Sequence, residues 1–155
     1  MQPGLLAKLE TELRRFRDKE FLRATMAACL LIAEADGEVD ALEQATVREA
    51  FDRLPILREL DSAKALLLFE QYRTLLADPL EALRARRVLY RKVERFQGRY
   101  KHSRTLLRAA YLVLGADGVD HPAEIREFKR LCGLLGLDPG LVLGEEQERN
   151  GGNGR

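Results

Sequence analysis

The sequence has no tryptophan and only two residues each of histidine, cysteine and methionine. Cys29 and Cys132 lie too far apart to form a zinc knuckle or a redox pair, and their apolar neighbours predict buried, reduced thiols. A glycine-rich phosphate loop, a serine elbow and a pair of histidines at helical spacing are all lacking. We therefore expect no enzymatic activity.

Long apolar runs are also lacking. The longest, Met26 to Ala33, is less than half of a membrane span. The first residues do not show a basic segment followed by an uninterrupted apolar core, so no signal peptide is expected. Basic and acidic residues nearly cancel, at 26 and 25, which gives no overall attraction to polyanions. These absences favour a cytoplasmic protein whose electrostatic function depends on how its charges are arranged.

What the sequence does contain is helical spacing of apolar residues. Residues 21–35 and 104–114 are apolar almost all the way round, which predicts two buried central helices. Shorter striped segments predict amphipathic helices that cover them, and no segment alternates with the period of a strand. The five stripes are Leu5/Leu6, Leu9, Leu13 and Phe16; Val47, Ala50, Phe51 and Leu54; Leu68, Tyr72, Leu75 and Leu76; Ala85, Leu89, Val93 and Phe96; and Ile125, Phe128, Cys132 and Leu135.

The pattern predicts an all-α bundle with a single domain over residues 1–143 and a disordered tail over 144–155. Capping-box spacing marks three helix starts, and proline stands at the first helical position in two of them. These starts are Asp40 with Glu43, Asp78 with Glu81, and His121 with Glu124; Pro79 and Pro122 directly follow Asp78 and His121.

An internal repeat is the most informative feature of the chain. Residues 35–43 match residues 116–124 without a gap, at an offset of 81 residues. Each copy follows one all-apolar segment and precedes an amphipathic one. The match predicts two pseudo-repeated helix-loop-helix units around the two central helices, related by a pseudo-twofold axis.

Both copies place an aspartate, Asp36 or Asp117, at the C-terminal end of a helix. The helix dipole disfavours a negative charge there by about 0.3–1 kcal/mol. Loop N–H groups could compensate, with Gly37 and Gly118 in the left-handed conformation. Alternatively, a Ca²⁺- or Mg²⁺-class cation could bind, because both prefer carboxylate oxygens. The candidate metal ligands are Asp36, Asp40, Glu43, Asp117, Asp120 and Glu124.

The charges are strongly segregated along the chain. Ten Lys or Arg residues stand between Arg84 and Arg108 against Glu94 alone, whereas residues 34–52 hold seven acids and one arginine. Such a run is often a solvated helix face, but it also suits an anionic inner membrane surface or an acidic protein. Nucleic acid is disfavoured because few aromatic residues are interleaved. The candidate partner- or membrane-binding residues are Arg84, Arg87, Arg91, Arg95 and Arg99.

The chain resembles the TerB family of tellurite-resistance proteins from about residue 14 to 143. The resemblance is carried by residues 14–21, 32–37, 116–118 and 134–139. It implies about seven helices and a non-enzymatic role in resistance to tellurite and related stresses. It also implies association with other Ter proteins, including a membrane-embedded one at the inner face of the membrane, and metal binding at the two Asp-Gly turns.

This chain departs from the repeated Asp-Gly-Glu pattern at Val119, which argues against two identical metal sites. Our leading hypothesis is a cytoplasmic scaffold that binds a divalent cation or a partner through the acidic turns and docks on a membrane-associated Ter complex. Thiol-dependent handling of the tellurite oxyanion through Cys29 or Cys132 is one alternative, and it requires an accessible thiolate of low pKa. A plain protein-interaction domain without metal is the other.

Overall fold

A computed structural model describes residues 4–35, Gly37, 41–114 and 121–142, with the side chains of residues 41–44 and of Pro55 outside that description. Within this part of the chain all regular structure is helical, so the predicted all-α class is confirmed. Residues 139–142 add a final helical turn. The helices are α1 (Leu5–Ala33), α2 (Ala41–Arg53), α3 (Pro55–Arg58), α4 (Ser62–Ala77), α5 (Ala82–Glu94), α6 (Tyr100–Leu114) and α7 (Pro122–Leu134).

Two helices form the centre of the bundle, as predicted. Apart from Arg23, every residue of α1 from Phe21 to Ala33 is buried, and so are most residues of the second half of α6. The two helices pack against each other, while α4, α5 and α7 cover α1 and α2 covers α6. Helices without a polar face are stable only when neighbours surround them, which explains their place in the core.

The stripes predicted for α2, α5 and α7 face this core. Val47 and Phe51 of α2, Leu89 and Val93 of α5, and Phe128 of α7 are all buried. In the α4 stripe the burial is incomplete, because the side chain of Leu75 remains 49% exposed. The apolar periodicity therefore identified the covering helices correctly, and most of the residues that they bury.

The first stripe was interpreted wrongly. It belongs to the same continuous helix as the apolar segment that follows it, and its side chains lie in solvent, with Leu5 76% and Phe16 62% exposed. With 29 residues, α1 is about 44 Å long, whereas α5 and α7, with 13 residues each, are about 20 Å long. The first half of α1 therefore extends beyond the helices that cover its second half.

The predicted helix starts had different outcomes. His121 is the N-cap of α7 and Pro122 its first residue, as expected, but the His121 side chain makes no capping hydrogen bond. Asp78 is instead the C-cap of α4, and its carboxylate accepts a hydrogen bond from the N–H of Leu80 at 3.0 Å. Because the chain makes this turn first, α5 begins only at Ala82. Asp40 and the side chain of Glu43, which mark the remaining predicted start, lie outside the described residues. The turn of the second repeat lies outside them as well, so the pseudo-twofold relation stays a prediction.

Candidate functional site

Most of the predicted metal ligands fall outside the part of the chain that the structure describes. Asp36, Asp40, Asp117 and Asp120 are not described, and neither is the side chain of Glu43 in α2. The sixth ligand, Glu124, is buried in the first turn of α7. Among the described residues, no three His, Cys, Asp or Glu side chains converge as a metal site would require. The structure therefore does not test the predicted cation site.

Helix α1 ends at Ala33, just before residues 36–40, which we term the first acidic turn. The N–H of Gly37 donates to the carbonyl of Glu34 at 3.0 Å, and Gly37 has a φ of 85°. This confirms the left-handed conformation expected there, which favours glycine because it lacks a Cβ atom. The corresponding Gly118 lies outside the described residues. The first acidic turn thus begins directly at the negative end of the central helix.

Glu34 shows the electrostatics at this end of the bundle. Its side chain is partly buried, and this burial raises the pKa of the carboxyl, while Arg86 and, to a lesser extent, Arg73 oppose the rise. The two arginines come from α5 and α4, so the covering helices bring positive charge to the end of α1. Part of the local negative charge is therefore balanced by the protein itself.

Three of the five predicted binding arginines form what we term the α5 basic face. Arg84, Arg87 and Arg91 are exposed, and their spacing of three and four residues places them on one side of α5. In the described part of the chain, the ion pairs involve other residues and none reaches these three guanidinium groups. Their charges therefore remain available to a binding partner.

The other two predicted arginines make contacts near the end of the exposed first half of α1, residues 5–20, which we term the projecting half. The Nη1 atom of Arg95 lies 2.7 Å from the Oε2 atom of Glu20 on α1. The guanidinium group of Arg99 lies over the ring of Phe96, 5.6 Å from its centroid. The structure therefore separates these two arginines from the α5 basic face, because Arg95 joins the end of α5 to α1 and Arg99 packs on Phe96 within the α5–α6 connection.

An apolar groove lies beside the α5 basic face and was not anticipated from the sequence. We term it the α4–α5 groove; Val88 is 44% exposed in it and faces the exposed Leu75 of α4. Arg84 belongs to both surfaces, and Leu80, in the turn between the two helices, is 92% exposed. The only sequence signal was that these side chains fall at or beyond the margins of the core stripes. The groove is lined by Tyr72, Leu75, Glu81, Arg84, Ala85, Val88 and Leu89.

A partly buried polar contact joins α5 to α7, away from the α5 basic face. The hydroxyl of Tyr90 donates a hydrogen bond to the carboxylate of Glu127 on α7, and Arg130 donates to the Tyr90 oxygen at 3.4 Å. Burial, followed by the bond to Glu127, raises the pKa of Tyr90. Because Glu127 is buried, this pairing satisfies a charge that would otherwise be costly.

Both cysteines lie in the core, as predicted. Cys29 is in the buried half of α1 and Cys132 is in α7, and neither forms a disulfide. Burial raises the pKa of Cys29 to about 12 and that of Cys132 to about 11. Reactive cysteines need access and a stabilised thiolate. The environment of both residues therefore argues against thiol chemistry on an oxyanion.

Among known protein families, the model described as tellurite resistance protein TerB matches residues 22–142. Neither the curated proteins nor the solved structures include a match to this chain. The matched region runs from the buried half of α1 to the last described helical turn. None of the helices in the described part of the chain is long and apolar enough to cross a membrane.

Proposed function

Because this chain belongs to the TerB family of tellurite-resistance proteins, we propose that it is a non-enzymatic docking component of resistance to tellurite and related stresses. Its α5 basic face and α4–α5 groove bind an acidic, amphipathic segment of a membrane-associated Ter protein. Family membership supports the association with tellurite resistance. The choice of this surface rests on the juxtaposition of exposed apolar side chains with arginines that form no ion pair among the described residues.

That juxtaposition distinguishes a docking surface from a solvated helix face. A solvated face needs only charged side chains, whereas this one adjoins Leu75 and Val88, whose exposure leaves apolar surface in water. Burying these side chains stabilises a complex, and the neighbouring guanidinium groups select carboxylates by paired hydrogen bonds. An acidic segment with apolar side chains on one side satisfies both requirements.

The experiment is a charge reversal in the α5 basic face, Arg87→Glu with Arg91→Glu. The matched control makes the same change at Arg48 and Arg126, which are exposed on α2 and α7. We expect the first variant to lose tellurite resistance and recovery with the membrane fraction, since losing two charge pairs weakens binding by tenfold or more, on the order of 1 kcal/mol for each. The control should retain both. Unchanged resistance and membrane recovery in the α5 variant would exclude this docking surface.

The acidic turns form the second part of the proposal. All six predicted ligands are carboxylates, a donor set that fits a cation of the Ca²⁺ or Mg²⁺ class and not a soft metal. The position of the first turn at the negative end of α1 supports the same choice. A bound cation would neutralise these carboxylates and hold each turn in one conformation. A basic partner segment would interact with the same groups.

Calorimetry with Ca²⁺ and Mg²⁺ tests the cation directly. Wild-type protein should release or absorb heat, and its melting temperature should rise, since a ligand at 100 times its Kd stabilises by about 2.7 kcal/mol. The double variant Asp36→Asn with Asp117→Asn should show neither effect. Absence of heat and of any melting shift for the wild type at millimolar metal would remove the cation and leave the basic partner.

A further inference from the structure

The projecting half of α1 carries an apolar stripe that nothing in the described part of the chain covers. Leu6, Leu9, Leu13 and Phe16 are exposed and separated by three, four and three residues. This is the spacing of the a and d positions in a coiled coil, where each side chain packs against a facing helix. An amphipathic helix in water normally buries such a face. The stripe therefore has the form of a helix-packing surface.

Farther along α1, the same face is occupied by α5. Arg95, the C-cap residue of α5, pairs with Glu20, whereas Arg86, in the first half of α5, opposes the rise in the pKa of Glu34 at the end of α1. The two helices are therefore antiparallel. Glu20 and Glu34 continue the heptad spacing of the stripe. Beyond the end of α5, the face of α1 is uncovered over the stripe.

A notch lies where α5 ends. Leu13 and Phe16 of the stripe form one side of it, and Arg95, Phe96 and Arg99 form the other. Phe96, the last residue of the α5 stripe, is buried in the core, whereas Leu13 and Phe16 are exposed. The notch therefore lies between the core of the bundle and the projecting half of α1. An apolar side chain at the tip of an incoming helix could lie in this notch.

We propose that a second copy of this chain covers the stripe, with its own α1 antiparallel to the first. The spacing of three, four and three reads the same in both directions, so Leu6 faces the partner's Phe16 and Leu9 faces the partner's Leu13. An antiparallel pair thus buries the stripe of both copies in four apolar layers. Such self-complementarity is what a twofold-symmetric interface requires.

This arrangement places the partner helix as a continuation of α5. Since α5 and the partner's α1 both run antiparallel to α1, the C-terminus of α5 faces the N-terminus of the incoming helix, which is a favourable alignment of dipoles. The partner's Leu6 then lies in the notch. A parallel partner does not fit, because α5 occupies the same face of α1 from Glu20 onward. The geometry therefore selects one orientation.

A lipid surface is a poorer occupant of the stripe than a second copy. Residues 5–20 contain five basic and four acidic side chains, so their charge nearly cancels. Glu10 and Glu12, which flank the stripe, would be brought against anionic headgroups. Covering the four stripe side chains and the adjoining surface on each copy buries roughly 1,000 Å² in total, which is near the lower limit for a specific interface. Dissociation in the micromolar range is therefore expected.

Sedimentation of the full chain from low micromolar to several hundred micromolar tests the proposal. Wild-type protein should shift from monomer to dimer, and Leu13→Glu should remain monomeric. The control is Leu80→Glu, which alters a still more exposed leucine outside the stripe and should still dimerise. Because Leu13 is exposed in the monomer, circular dichroism and melting of the Leu13→Glu variant should match the wild type. Wild-type protein that stays monomeric throughout the range would overturn the proposal.

Disulfide cross-linking tests the orientation. Under mild oxidation, a mixture of Leu9→Cys and Leu13→Cys chains should form mixed dimers, and each variant alone should not. The native cysteines should not compete, because both are buried. Dimers from Leu9→Cys alone would instead show a parallel pair, and would overturn the antiparallel arrangement. Monomeric protein that sediments with anionic phospholipid vesicles through the stripe would assign it to a membrane and also overturn the proposal.

Discussion

The two thiols allow a sharp test of whether this protein carries out thiol chemistry on an oxyanion. Direct chemistry would need a thiolate, and burial raises the pKa of Cys29 from 9.0 to about 12 and that of Cys132 from 9.0 to about 11. At neutral pH the thiolate fraction therefore falls by about a thousandfold for Cys29 and about a hundredfold for Cys132. The lack of access slows reaction further, because a reagent must wait for the helix to open.

The assay compares the reaction of Ellman's reagent with native and guanidinium-unfolded protein at one pH. Unfolded chains should release two equivalents of chromophore per chain quickly. The native protein should react at least about a hundredfold more slowly, as the two pKa values require. Single substitutions, Cys29→Ala and Cys132→Ala, assign any residual reactivity, and both should leave tellurite resistance intact. Native labelling as fast as that of a free thiol would refute this reasoning and restore the thiol hypothesis.

Phe21→Ala should lower the free energy of unfolding in urea by about 3–5 kcal/mol because the ring of Phe21 is fully buried. Phe16→Ala should lower it by less than about 0.5 kcal/mol because the ring of Phe16 is exposed. Similar losses for the two variants would contradict the placement of both rings. Burial, then nearby arginine charge, lowers the pKa of His102 below its ordinary 6.5. The unfolded chain therefore binds this proton more readily, so the contribution of His102 to the free energy of unfolding should be constant above pH 6.5 and fall below it. His102→Gln should weaken that pH dependence. Gly37→Ala should cost about 1 kcal/mol because φ is 85°, while Gly133→Ala in α7 should stabilise by about 0.5–1 kcal/mol, since a Cβ atom there meets open space. Equal effects of the two glycine substitutions in thermal melts would contradict the backbone argument.

Much of the fold could be predicted because helix formation and burial of one face depend on residues close in sequence. The spacing of Leu89 and Val93 in α5 shows which side packs inward, and the uninterrupted apolar segment of α1 shows that it must be central. The same logic predicted one stripe wrongly. Periodicity shows that the first half of α1 has an apolar face, but not whether another helix of the chain is long enough to reach it.

The candidate site was less predictable because it depends on how two helices sit side by side. Arg84, Arg87 and Arg91 could be assigned to one face from their spacing alone. Nothing in that spacing shows that Leu75 of α4 lies opposite Val88, since the groove exists only once α4 and α5 are packed. Most of the predicted acidic ligands lie outside the described residues, so their arrangement stays a prediction.

The sequence by itself determined the helical class, the two central helices, the burial of both cysteines and the separation of acidic from basic segments. Each of these follows from composition and local spacing, which the chain carries in any conformation. Only the tertiary structure decided that Arg95 is paired with Glu20 while Arg91 is exposed, and that, among the described residues, one apolar stripe is covered while another is not. Pairing and covering are relations between distant residues, and those relations exist only when the helices are packed.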